Sequence, residues 1–104
     1  MANPDLAGIF ASNDNMALGA VEAIATAGLS PDDIVLIGFD ANPNAAQAII
    51  DGTMDATVAQ SPYNIGWLGI QNLVALINGE TIDPVIDTGT ELVTIDNAAD
   101  FAGN

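Results

Sequence analysis

Apolar runs in this chain stop abruptly on polar side chains in Gly8-Ile9-Phe10-Ala11-Ser12-Asn13-Asp14, Val35-Leu36-Ile37-Gly38-Phe39-Asp40 and Ala56-Thr57-Val58-Ala59-Gln60-Ser61-Pro62. Between them lie segments rich in helix formers, so strand and helix alternate along the chain. That alternation calls for right-handed crossovers and a parallel sheet. It also places Asn13, Asp40 and Gln60 at the carboxyl ends of neighbouring strands, the rim where open α/β sheets take ligands.

Local signals sharpen the pattern. Leu6 to Ala11 suits a short buried strand, with Ser12 or Asn13 as cap of the helix that follows and Asp14 in its first turn, where a carboxylate complements the helix dipole. Ala17, Ala20, Val21, Ile24 and Ala27 recur at helical spacing until Gly28 stops them. Ser30-Pro31-Asp32-Asp33 predicts a capped tight turn, and Ile34 to Phe39 the most strand-like run, apolar enough for cover on both faces.

Asn42-Pro43-Asn44 opens a second helix, Ala45 to Asp51, which Gly52 ends before a strand from Asp55 to Ala59. Pro62 starts a third helix with Tyr63, Gly66, Trp67, Ile70, Leu73, Val74 and Ile77 along one face, closed by Asn78-Gly79. Two short β-like pieces follow, Val85 to Asp87 and Glu91 to Ile95, and residues 96–104 are expected to fray. At 104 residues, the expectation is a single α/β domain over 1–104, a flavodoxin-like half-lobe with a mainly parallel sheet in a three-layer sandwich and a short β-like tail.

Charge excludes whole classes of partner. The chain has no Lys, Arg, His or Cys, and its 14 acidic residues give a formal net charge of −14. Without cations it cannot neutralise phosphates, so nucleic acid and anionic membrane surfaces are not its partners. No apolar run approaches a membrane span, and the first residues, Met1-Ala2-Asn3-Pro4-Asp5, lack the basic head of a signal peptide. With ordinary basic content, a cation-free chain of this length arises by chance about once in a million sequences. The composition therefore points to deliberate removal of basic residues; a haloarchaeal origin would explain the acidity but not the loss of every Arg.

The same absences narrow the chemistry. Ser12, Ser30 and Ser61 have no His, Lys or Cys to activate them, and Asp32-Asp33 suits a helix start better than acid–base catalysis. The chain is expected not to be an enzyme, with no catalytic residue and no cofactor. Asp40 after an apolar strand is also placed like the phosphoacceptor of receiver domains, although the Lys those sites use is missing. Asp40-Ala41-Asn42-Pro43-Asn44 has oxygen spacing like the start of an EF-hand loop, with Asp51 at its end. Ala45 replaces the required Gly there and Asp51 the bidentate Glu, so a turn is favoured and no specific metal site is expected. Weak divalent-cation binding to so acidic a surface stays open.

Taken in order, Ile9-Phe10-Ala11-Ser12-Asn13-Asp14-Asn15-Met16-Ala17-Leu18-Gly19-Ala20, Ile37-Gly38-Phe39-Asp40 and Thr57-Val58-Ala59-Gln60-Ser61-Pro62 resemble the carboxyl-terminal lobe of ribose-binding periplasmic proteins and the related effector domains of lactose-repressor-type regulators. The resemblance covers nearly the whole chain and implies a monosaccharide-binding role. Residue by residue, it makes Asn13, Asp40 and Gln60 the groups that hydrogen-bond sugar hydroxyls, with Asp accepting from paired hydroxyls and Asn and Gln both donating and accepting. Tyr63 and Trp67 could stack on a sugar, but their helical spacing makes them core or interface residues first.

The departures imply weak or absent binding by this chain alone. Members of that family close a second lobe over the sugar, sandwich its ring between aromatic side chains and use Arg ligands, and the resemblance finds none of these in this chain. It also implies an open edge on the first strand and an uncovered third helix; either the tail strand and the third helix fold back onto the sheet, or two copies cover each other as a symmetric or swapped homodimer, the favoured expectation. The family is typically periplasmic, whereas the composition points to a recombinant origin for this chain.

Overall fold

The structure is a computed structural model and describes residues 3–103. Its elements are β1 (Gly8–Phe10), α1 (Asp14–Thr26), a 3₁₀ turn at Pro31–Asp33, β2 (Val35–Ile37), α2 (Pro43–Ile50), β3 (Thr57–Gln60), α3 (Pro62–Ile77), β4 (Thr90–Val93) and a second 3₁₀ turn at Ala98–Asp100. They fall into two compact units, residues 1–59 with 92–104, and residues 60–91.

In the first unit β1 and β2 run parallel, with Ile9 opposite Leu36. Parallel bridges Ile37 to Ala56 and Asp40 to Ala59 continue the order toward β3. Just ahead of the first bridge a side chain takes part in the ladder: the Asp55 carboxylate accepts the Leu36 N–H at 2.7 Å, while the Asp55 N–H donates to the Leu36 carbonyl at 3.0 Å. A neutral donor thus meets a carboxylate where a strand partner would otherwise sit.

Helix starts follow the local chemistry. Asn13 caps α1 by accepting the Met16 N–H at 2.9 Å, Asn42 caps α2 by accepting Ala45 N–H at 2.9 Å, and Ser30 accepts the Asp32 N–H in the 3₁₀ turn. Pro43 and Pro62 take first-turn positions, where a missing N–H costs nothing.

The core of the first unit mixes alanines with larger aliphatic side chains: Ala17, Ile24, Ile34, Leu36, Ala45, Ala48, Ile49, Met54, Ala59, Val93 and Ala98 are all buried. Leu36 is only 1% exposed, yet its neighbour Val35 is 52% exposed and Phe10 66%, so the strand residues alternate between a helix-covered face and an open one. The cover expected on both faces of the second strand is present on one.

The described structure departs from the expected tail. Val85 to Asp87 forms no strand, and the later piece pairs over Thr90–Val93 as the neighbour of β3. Over 96–103, the stretch expected to fray, Ala98 is fully buried and Phe101 packs against the core, because apolar side chains there find cover; Asn104 lies outside the described residues. In the second unit, α3 is the longest helix and contributes no buried residue.

Candidate functional site

The polar ends of β1 and β2 lie on one rim of the first unit. The Asp14 N–H donates to the Phe39 carbonyl at 2.8 Å, and the Asp40 N–H donates to the Val58 carbonyl at 2.8 Å, so the segments leave the sheet side by side. Asn13 is half-buried there, and Asp40 is exposed. Gln60 follows Ala59, the bridge partner of Asp40, as the exposed last residue of β3; it belongs to the second unit.

Each group is constrained before any ligand arrives. The Asn13 carbonyl oxygen is committed to the α1 cap, which leaves its Nδ2 donors to face a hydroxyl. Asp40 has φ 116° and Ala41 φ 56°, a pair of consecutive positive φ values at residues other than glycine. Such backbone is disfavoured for side-chain-bearing residues by about 1–2 kcal/mol each and persists only where surrounding contacts hold it.

Those contacts converge on a residue that the sequence presents as a mere first-turn charge. Asp14 is fully buried, and its carboxylate accepts the Asn42 N–H at 2.7 Å and the Thr57 hydroxyl at 2.5 Å. The Thr57 oxygen in turn accepts the Ala41 N–H at 3.4 Å. Gly38 makes room for this cluster: a Cβ there would collide with Asp14 Oδ1 and would lie 2.6 Å from the Met54 methyl carbon. Among the described residues no buried side-chain polar atom is left without a partner.

The remaining candidates separate from the rim. Residues 43–50, inside the EF-hand-like spacing, are helical rather than a loop, and among the described residues no three carboxylates gather into a cation site. A small cavity of about 120 Å³ lies elsewhere in the first unit, lined by Val21, Ile24, Ala25, Leu29, Pro31 and Thr53, a lining too apolar for a polyol. Tyr63 and Trp67 sit exposed on α3 in the second unit. No helix among the described residues is long and apolar enough to cross a membrane.

Comparison with known proteins finds relatives of this chain. The family model described as a periplasmic binding protein domain matches residues 1–81. The ribose import binding protein of Escherichia coli (strain K12) is 40% identical over 92 residues, which are 88% of this chain and 30% of that protein. An ABC transporter solute binding protein from Mycobacterium smegmatis, solved with bound glycerol, superposes with a TM-score of 0.81 and 38% identity, covering 99% of this chain and 35% of that one. Another from Agrobacterium vitis, solved with bound D-fucose, gives a TM-score of 0.73 and 42% identity over 92% of this chain and 33% of that one. The chain thus spans about a third of the length of the relatives it matches. It belongs to the periplasmic binding protein domain family, and its α/β architecture is that of a half-lobe of that fold.

Proposed function

We propose that this chain carries one wall of a monosaccharide site, of ribose type, with Asn13, Asp40 and Gln60 as its hydrogen-bonding groups. The observation that carries the proposal is the alignment of the strand ends by two backbone bonds, Asp14 to Phe39 between the ends of β1 and β2 and Asp40 to Val58 between the end of β2 and β3. It is supported by relatives named for ribose import and by solved relatives holding D-fucose or D-allose. Binding, not catalysis, is the role those names support.

The wall acts weakly alone. Hydrogen bonds exchanged with water contribute about 1 kcal/mol each, and a few of them barely offset the cost of association. Titrating D-ribose into isotopically labelled protein should give saturable shifts at the Asn13, Asp40 and Gln60 amides in the millimolar range. Asp40→Ala should weaken the apparent affinity by about fivefold or more. Shifts absent at all concentrations, or confined to other residues, would overturn the assignment.

Further features fit a redesigned scaffold. The complete absence of basic residues, set against relatives near 40% identity, supports a cation-free recombinant derivative of the family, with residues 1–104 treated as one domain. The same chain would pair with a second copy through the open β1 edge and α3. The supporting observation is charge exclusion: no acidic residue falls between Gln60 and Gly79, although the chain has 14. A neutral apolar helix is the surface through which two strongly acidic copies can approach.

A further inference from the structure

The cluster around Asp14 ties down consecutive residues of the turn that follows β2. The Phe39 carbonyl accepts from Asp14 N–H, the Asp40 N–H reaches Val58, the Ala41 N–H reaches Thr57 Oγ1, and the Asn42 N–H reaches the Asp14 carboxylate. All of these groups belong to the first unit. We infer that Asp14 is the positioning residue of the rim: its buried carboxylate, acting through the Asn42 N–H and the Thr57 hydroxyl, holds the positive-φ Asp40–Ala41 turn and thereby fixes Asp40 relative to Asn13.

The chemistry of the residues supports a holding role over a ligand-binding one. Asp14 is completely buried, so no ligand reaches it, whereas Asp40 is exposed. Asp14 also directly follows the cap Asn13, so one residue sets both rim positions: its backbone through the first turn of α1, its side chain through the turn before α2. Thr57 serves as the bridge, because its hydroxyl donates to Asp14 while accepting from Ala41. Without this frame the consecutive positive φ values at Asp40 and Ala41 would relax, since no glycine is present to adopt them at low cost.

The relevance of this frame rests on the sugar-site proposal, but its test does not. In the unmodified protein the Asn42 amide should exchange with solvent at least about tenfold more slowly than the amide of exposed Asn44, because it donates into a buried carboxylate. Equal exchange would overturn the inference whatever the variants do. Thr57→Val keeps the side-chain volume and removes the bridging hydroxyl. It should abolish the strong intraresidue amide-to-Hα NOE that marks positive φ at Asp40 and Ala41, while Thr57→Ser should retain it. A folded Thr57→Val protein with unchanged NOEs would refute the role, and if that variant does not fold, the exchange measurement decides. A protein that passes these tests but shows no ribose-dependent shifts would keep Asp14 as the holder of the turn and remove the sugar assignment alone.

Discussion

Gly38 shows how narrowly the rim is built at the scale of single residues. Its missing Cβ leaves space filled by the Asp14 carboxylate, the Met54 methyl and the Ala17 Cβ, the last of which would stand 3.2 Å from an added methyl. Gly38→Ala should therefore destabilise the fold by about 1–3 kcal/mol, the usual cost of overpacking a tight core, read as a lower urea midpoint at unchanged slope. A midpoint within error of the parent would show that the cluster has slack.

Asn13 and Asp40 were legible in the sequence because each ends an apolar run. Asp14 was legible only as a helix-start charge, since the groups it binds lie 28 and 43 residues away along the chain and only the fold brings them together. The positive φ at Asp40 and Ala41 was equally hidden, for Asp adopts such backbone more often than most residues but Ala does not, and nothing in the sequence marks the pair.

At the scale of elements, caps and stops were read more reliably than strand lengths. Of Ser12 and Asn13 it is Asn13 that caps the first helix, Ser30 caps its turn as expected, and within Asn42-Pro43-Asn44 the cap is Asn42, so α2 starts at Pro43 rather than Ala45; capping is a local transaction between neighbours in sequence. Strand extent depends on partners: the apolar run Ile34 to Phe39 narrows to Val35–Ile37, the stretch that pairs with Gly8–Phe10, and beyond it Asp40 keeps only an isolated bridge to Ala59. Val85 to Asp87 had β-like residues without a partner strand among the described residues.

The third helix poses the opposite problem, a strong apolar pattern without burial. Trp67 is 53% exposed, and Ile70, Leu73, Val74 and Ile77 are exposed with it. If a second copy covers this face, Trp67→Glu should convert a dimer to monomer in sedimentation at high micromolar concentration, with the circular dichroism unchanged. A parent chain that is already monomeric under those conditions would rule out the pairing.

For the whole molecule, electrostatics has an unusual sign. The chain contains no cation, so its carboxylates are held by neutral N–H and O–H groups, as at Asp14 and Asp55. Added salt has no side-chain ion pair to weaken and much repulsion to screen, with a Debye length of about 10 Å near 0.1 M. The melting temperature should rise steadily from low to high sodium chloride, and a flat profile would contradict a repulsion-limited fold.

The first unit is assembled from both ends of the sequence, with Val93 and Ala98 buried beside residues from its amino-terminal part. A ribosome therefore completes this core only after residues 60–91 have emerged, so the earlier strands and helices wait, partly uncovered, for residues 92–103 to follow. The rim that would face a sugar is drawn mostly by residues before 60 but becomes secure only once residues 92–103 have been made.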